Sequence, residues 1–341
     1  MTKIARFCLI GAGRAGAVHA RNLRRRIKTG ELAAIVDANL EAASKLGEEV
    51  GIKNLYSDLS TALRSVEFDA VIITTPTFTH AALTMQAAEA GKHVFCEKPM
   101  ALNLEEADRM ITGCRKAGVK LQIGFMRRFD PEFVSAKQHI LNGEIGKPVL
   151  VKSVGRGPGL PPPWALDRKT GIGFLAEVNS HDFDSLRWLM GDEYSSIYSE
   201  TAALIRPDLV STYPGFYDVA AVVAKFRGGG LGFIDGACPV GYGYDARVEV
   251  LGTEGVIVVG EIRGTTLHRI NRENRVISET FRSWRDRFRE GYIGEIEHFI
   301  DCIVNDREPA VTGIDGRKAL EAVLAAHRSM ETGKPVFLPL G

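Results

Sequence analysis

The stretch Ile4-Ala5-Arg6-Phe7-Cys8-Leu9-Ile10-Gly11-Ala12-Gly13-Arg14-Ala15-Gly16 decides the fold. It begins as an apolar, strand-forming run, and the residues from Gly11 to Gly16 spell GxGxxG ahead of a helical segment. A strand leading through such a turn into a helix opens a dinucleotide-binding βαβ unit. Gly11 permits the tight turn, Gly13 lets the backbone approach a pyrophosphate, and Gly16 allows close helix–sheet packing. The helix N-terminus adds free N–H groups and the positive end of its dipole. The second strand ends in Ile35-Val36-Asp37, and Asp37 lies 21 residues past Gly16. A carboxylate there accepts hydrogen bonds from the adenosine ribose and repels a 2′-phosphate, which favours NAD over NADP. Arg24, Arg25 and Arg26 are the counter-indication, but in the last turns of a helix they complement its dipole and face water.

Working outward, Ile4 to Ile10, Leu32 to Val36, Ala70 to Ile73, His93 to Cys96 and Lys120 to Ile123 are near-continuous hydrophobic strands separated by helical patterns. That rhythm predicts a doubly wound parallel sheet over residues 1–128, the α/β Rossmann class. Gly30, Gly91 and Gly118 read as helix stops. A helix from Pro131 to Asn142 follows. Segments such as Ala246-Arg247-Val248-Glu249-Val250 then put apolar side chains on every second position, predicting a large, mainly antiparallel sheet. Residues 129–341 are thus an α+β domain for substrate binding and oligomerisation, with helices at about Ser180 to Met190, Tyr292 to Asn305 and Asp315 to Thr332; the C-terminal helix is free to pack back on the Rossmann domain. The stretch Gly155 to Pro163, GRGPGLPPP, forbids regular structure and suits a stiff rim.

The 341 residues carry 43 Lys plus Arg against 42 Asp plus Glu, a formal net charge of +1. Nucleic-acid and polybasic membrane binding need a cationic surface that this balance argues against. No apolar run approaches the roughly 20 residues of a membrane span, and the chain opens on a strand without signal-peptide features, which points to a cytoplasmic location. The five scattered cysteines read as reduced core filler, and with the eight dispersed histidines they indicate no metal site.

Lys98, in Cys96-Glu97-Lys98-Pro99, sits at the carboxyl end of a parallel strand, the edge where open α/β sheets bind ligands. In the second domain, if the helix is extended back to Glu177, the side chains of Phe183, Leu186 and Met190 fall on one side and Glu177, His181 and Asp184 on the other. An imidazole between two carboxylates is oriented and stabilised as its cation, so His181 reads as a base more readily than as a structural histidine.

The GAGRAG turn, Thr74-Thr75-Pro76 with His80, the EKP tripeptide and GFMRRFD at Gly124 to Asp130 together resemble the Gfo/Idh/MocA oxidoreductases. FMRR with the following aromatic and Asp, HDFD at His181 to Asp184 and Ser283-Trp284-Arg285-Asp286-Arg287-Phe288 resemble the myo-inositol 2-dehydrogenase branch. The resemblance implies NAD contacts from Gly11, Gly13, Arg14, Ala15, Gly16, Asp37, Thr75, Pro76, His80, Glu97 and Lys98. It implies catalysis by Lys98 with the pair Glu177 and His181, and Asp184 as a substrate ligand. Relatives of the inositol type carry Asp where this chain has Glu177, and the extra methylene moves the carboxylate by about a bond length.

The expected reaction is oxidation of a ring hydroxyl of a cyclic polyol or sugar, inositols first. His181 takes the hydroxyl proton and Lys98 stabilises the developing alkoxide. A polyol pocket needs many hydrogen bonds, for which Arg127, Arg156, Asn179, Asp184, Tyr242 and Tyr244 are candidates, with one of Arg127 and Arg128 left at the surface. Trp284 would stack on the sugar or cover the nicotinamide. Other readings stay open: a sugar or glycoside dehydrogenase, an NAD-dependent glycosidase, or a non-catalytic NAD-binding regulator, although the last would be expected to lose Lys98 or His181. The resemblance also implies a homodimer or homotetramer.

Overall fold

The computed structural model describes residues 4–167 and 170–340. The chain divides into two compact units, Met1–Phe129 with Glu290–Arg317, and Asp130–Arg289 with Lys318–Gly341.

The first unit alternates strand and helix: β1 Ala5–Ile10, α1 Arg14–Arg25, β2 Gly30–Val36, α2 Leu40–Val50, β3 Leu55–Tyr56, α3 Leu59–Ser65, β4 Ala70–Ile73, α4 His80–Glu89, β5 His93–Glu97, α5 Leu104–Ala117 and β6 Leu121–Gly124. The strands form one parallel sheet in the order β3-β2-β1-β4-β5-β6. The order reverses at β1, so the crevice beyond its carboxyl end is where such a sheet takes a ligand. Local chemistry explains the helix ends. Asn39, Asp58 and Asn103 accept backbone N–H bonds as N-caps, and Gly51 and Gly118 end α2 and α5 in the left-handed conformation. Gly30, by contrast, opens β2, where a Cβ would strike Leu23 and Ile300. The two-residue β3 escapes a pattern search because it is too short to show a period.

The second unit contains α6 Pro131–Leu141, β7 Pro148–Arg156, α7 Pro163–Leu166, α8 Gly173–Glu177, α9 Ser180–Met190, β8 Tyr194–Ala202, β9 Val219–Phe226, β10 Leu231–Ala237, β11 Asp245–Gly252, β12 Val256–Val259, the hairpin of β13 Arg263–Ile270 with β14 Val276–Thr280, and α10 Trp284–Arg287. The chain closes with α11 Arg289–Val304, α12 Gly313–Thr332 and β15 Val336–Phe337. Its main sheet runs β12-β11-β7-β10-β9-β8-β15, antiparallel except for β7 beside β10. The α9 helix packs on β7 and β10. Strand β7 extends into the GRGPGLPPP stretch as far as Arg156, and Pro163 starts α7, where a missing N–H costs nothing.

Residues 290–317, which the sequence reading groups with the second domain, lie with the first. The reason is apolar: Ile293, Ile296, Phe299 and Ile300 of α11 share a core with Phe7, Leu9, Ile72 and Phe95.

Candidate active site

In the first unit the Gly11–Gly16 turn is built as its glycines require. Gly11 has φ +102°, and a Cβ on it would press on Thr74 at 2.9 Å. A Cβ on Gly16 would strike the Gly11 carbonyl oxygen and Thr74 Oγ1, so this glycine closes the turn on itself and on β4's end. Thr74 Oγ1 lies 3.0 Å from Ile10 O and 2.8 Å from Gly11 O. At Gly13 a Cβ would meet nothing within 4 Å, which leaves the open approach a pyrophosphate needs. No side chain caps α1 and no acid stands in its first turn, so its terminal N–H groups and dipole face that opening.

Asp37 fits a ribose. One oxygen accepts the Ala12 N–H at 2.7 Å and the other the Asn39 N–H at 2.8 Å, which fixes the carboxylate, and each oxygen keeps acceptor capacity. These residues fit NAD, and Asp37 opposes a 2′-phosphate. Arg24 donates to Val50 O at 2.8 Å, Arg25 lies 3.9 Å from Glu49, and Arg26 lies 3.3 Å from Glu290. Arg14 and Ala15 lie at the start of α1, Arg14 exposed and Ala15 half-buried.

The loops after β4 and β5 are tied together. Thr75 Oγ1 and Thr79 Oγ1 are 2.6 Å apart, and Thr79 Oγ1 donates to Pro76 O. His80 is 1% exposed, with Nδ1 3.0 Å from Pro99 O and Nε2 2.8 Å from Thr75 O. Both ring nitrogens face protein carbonyls, so His80 braces the two loops that carry Thr75 and Pro99. Burial holds its pKa below the ordinary imidazole value, so one N–H donates to one carbonyl at a time. Glu97 is likewise engaged with protein: one oxygen lies 2.8 Å from His19 Nε2 and the other accepts the Lys98 N–H at 3.3 Å. Lys98 is half-buried at the end of β5. Arg127 is not at the surface but 1% exposed, and Arg128 is held by Asp315 at 3.0 Å, so neither arginine is simply solvated.

In the second unit the expected continuous helix back to Glu177 is broken. The α8 helix ends at Glu177, and Asn179 has φ −94° and ψ 1° before α9 begins. Periodicity cannot see such a break because both pieces are in phase with the same apolar pattern. Glu177 is half-buried while His181 and Asp184 are buried, so α9 has no water-facing polar side. Burial and the Asp184 charge hold the Tyr194 phenol well above its ordinary pKa, and Tyr194 OH donates to Phe183 O at 2.6 Å.

Asn179 is not presented to a ligand. It is 0% exposed, and its Nδ2 donates to Asp182 Oδ2 at 2.8 Å and to Gly155 O at 3.2 Å. Ser153 Oγ donates to the other Asp182 oxygen at 2.5 Å. These side chains occupy a notch made by Gly155 on β7 and Gly236 on β10, which are partners in the parallel register. A Cβ at Gly155 would come within 2.6 Å of Asn179 Nδ2 and overlap Asp182 Oδ2, and one at Gly236 would lie 2.5 Å from Asn179 Oδ1. The notch seats the start of α9 and thereby aims His181 and Asp184. Sequence reading missed Ser153, Asp182 and the glycine pair; glycine inside a strand was the available signal.

Arg156 and Tyr242 meet each other, but strand alternation puts Arg156 on the open face of the large sheet, opposite the Gly155 face on which α9 sits. Arg156 pairs with Asp235 and donates to Tyr242 OH at 3.2 Å, and Tyr242 OH donates to Asp245 at 3.0 Å. Tyr244 is buried with its ring edge-on to Phe288. Trp284 is half-buried under the Arg285 guanidinium, 4.7 Å from its ring centroid. Within the same motif, Arg287 is buried on Asp130 and Glu132 and serves packing.

A Rossmann sheet with an open glycine turn and a fixed ribose-binding carboxylate, joined to an α/β unit with a buried histidine and acids, defines a two-domain nicotinamide-dependent oxidoreductase. Family comparison agrees. Residues 5–125 match the NAD-binding Rossmann domain of the Gfo/Idh/MocA oxidoreductases and residues 137–338 their C-terminal alpha/beta domain. The chain belongs to the Gfo/Idh/MocA family. It is 37% identical to a myo-inositol 2-dehydrogenase of Thermotoga maritima over 98% of both chains. It is 36% identical to an NAD(+)-dependent scyllo-inositol 2-dehydrogenase of Bacillus subtilis, covering 98% of this chain and 96% of that one. The crystal structure of a Lactobacillus plantarum myo-inositol 2-dehydrogenase superposes with a TM-score of 0.91 at 27% identity, over 99% of this chain and 100% of that one.

Proposed function

We propose that the chain oxidises a secondary ring hydroxyl of an inositol to a ketone with NAD, myo- and scyllo-inositol being the first substrates to try. The near-full-length identity to inositol 2-dehydrogenases carries this reading. Bound nicotinamide supplies the hydride acceptor. His181 takes the hydroxyl proton, oriented by the seating of α9 on the Gly155–Gly236 notch, and Asp184 binds a neighbouring hydroxyl. Lys98 hydrogen-bonds the reacting oxygen and stabilises its developing charge. Glu177 orients His181. A neutral substrate needs no steering field, which suits a chain of net charge +1. The test is NADH formation against a panel of inositols, aldoses and glycosides; inositols giving no NADH, while another class does, would overturn the substrate assignment.

A cytoplasmic homo-oligomer fits the same reading. Cys8, Cys96, Cys114, Cys238 and Cys302 are all buried thiols. The register of the large sheet puts Val223, Leu231, Phe233, Leu251, Val256 and Val258 on its one exposed face, each at least 36% exposed. So large an apolar face marks an interaction surface, here for a second copy of this chain. A Phe233→Glu, Val258→Glu double variant should sediment as a smaller species than the wild type; an unchanged mass would exclude this face.

A further inference from the structure

Three ionisable side chains from distant parts of the chain meet inside the first unit, behind Lys98. His19 comes from α1, Glu97 from β5 and Glu295 from α11, and they are 0%, 6% and 0% exposed. His19 Nε2 lies 2.8 Å from Glu97 Oε1 and 4.0 Å from Glu295 Oε1. The Phe95 and Tyr292 rings meet the imidazole edge-on, with centroids at 5.3 and 5.7 Å, and hold its plane. The second Glu97 oxygen accepts the main-chain N–H of Lys98 at 3.3 Å. The cluster therefore ends on the backbone of the residue assigned to the chemistry.

Its charge state follows from the partners. A buried carboxylate is tolerated only when donors compensate it. Glu97 has two, the His19 ring and the Lys98 N–H. Neither side-chain oxygen of Glu295 has a hydrogen-bond partner among the described residues. The titratable groups that the described contacts bring to Glu295 are His19 from α1 and Glu97 from β5, with the Tyr292 ring against His19; from β6 it meets only the neutral Gln122, whose amide donates to the Glu295 carbonyl at 2.7 Å. Burial, reinforced by the Glu97 charge, pushes Glu295 well above the ordinary carboxylic range, so it is a neutral acid. One negative charge, on Glu97, is thus held beside the end of β5.

We propose that His19, Glu97 and Glu295 are positioning residues for Lys98, and that the proton on Glu295 makes their hold depend on pH. Loss of that proton places a second negative charge beside Glu97, and two carboxylates so close in a dry interior cannot both stay in place. Glu97 then gives up the Lys98 N–H. The proposal rests on the reading that Lys98 acts in alcohol oxidation, and Lys98→Ala tests that reading separately.

The experiment measures kcat against pH with saturating NAD and substrate, together with NADH affinity by fluorescence, on the full chain. The wild-type kcat profile should bend down on its alkaline side while NADH affinity stays within about threefold, an energy difference of about 0.7 kcal/mol. Glu295→Gln keeps the shape, has no proton to lose, and should abolish the bend. Glu97→Gln should lower kcat at neutral pH at least tenfold and should also abolish the bend, because ionised Glu295 then faces no second carboxylate. A merely structural cluster would change melting temperature without moving the bend. A wild-type profile without the bend, or a bend that persists in Glu295→Gln or in Glu97→Gln, would each overturn the proposal. So would a divalent ion recovered in stoichiometric amount from the purified chain and lost in Glu295→Gln, which would make the three side chains ligands. Normal turnover in Lys98→Ala would instead sink the underlying assignment, whatever the bends do.

Discussion

Gly155→Ala is the sharpest perturbation of the seating of α9. The added methyl would sit 2.6 Å from Asn179 Nδ2 and 2.9 Å from Asp182 Cγ, about 1 Å inside ordinary contact distance for the nitrogen. Neither neighbour has a vacant place to turn into, since both are 0% exposed. Relief requires either moving the start of α9 by about 1 Å or swinging Asp182 off its bonds from Asn179 and Ser153. Overpacking costs about 1–3 kcal/mol, and a buried hydrogen bond to a charged group is worth about 1.5–3 kcal/mol. Against this stands a gain of about 0.4–1 kcal/mol from a less flexible unfolded chain. A net loss of about 3 kcal/mol follows, a fall in melting temperature of roughly 6–12 °C for a unit of this size. A shift of about 1 Å at His181 lowers kcat on the order of 100-fold, whereas NAD affinity, which resides on the Gly11–Gly16 turn, stays near wild type. Calorimetry and steady-state NADH formation read the two effects. An unchanged melting temperature would refute the packing argument, and a lowered one with normal kcat would refute the claim that the notch aims His181.

Lys98→Ala should lower turnover by on the order of 10²–10⁴-fold while NAD binding, measured by titration calorimetry, survives; near-normal turnover would remove Lys98 from the chemistry. Asp37→Ser should lower the preference for NAD over NADP at least about tenfold, read from the ratio of kcat/KM values, since ribose acceptors and the charge against a 2′-phosphate are both lost. Burial pushes the Cys8 and Cys114 thiols up to about 12. A raised thiol pKa leaves no thiolate near pH 8, so a thiol-specific dye should label none of the buried cysteines until the chain unfolds. Rapid labelling of native protein would contradict their burial.

The first unit was legible because its signals are local. A parallel strand buried on both faces is a continuous apolar run, and the GxGxxG turn with Asp37 spans a short stretch whose chemistry is carried by residue type alone. The same locality leaves the protein partners of these side chains out of view. His80 and Glu97 lie among residues that resemble cofactor ligands, but the Pro99 carbonyl and His19, which engage them, come from elsewhere in the fold. A motif gives the neighbourhood of a side chain and leaves open which way it turns. The placement of α11 with the first unit was beyond periodicity for a related reason, since its apolar face fits either domain until Phe7 and Phe95 are known to face it.

The notch under α9 shows where sequence reading stops physically. Residues 155 and 236 are 81 apart in the chain, and each looks like an ordinary strand interruption. Their meaning comes from the parallel pairing of β7 with β10, which places two missing side chains next to each other and opens a space for Asn179 and Asp182. That pairing is the one parallel contact in an otherwise antiparallel sheet, so no rule of hairpin succession predicts it. Once the space exists, Asn179 fills it and donates to the Gly155 carbonyl and to Asp182. The residues after the seat, His181 and Asp184, are those that the proposed reaction assigns to substrate, and the break between α8 and α9 puts Glu177 on a separate helix from them.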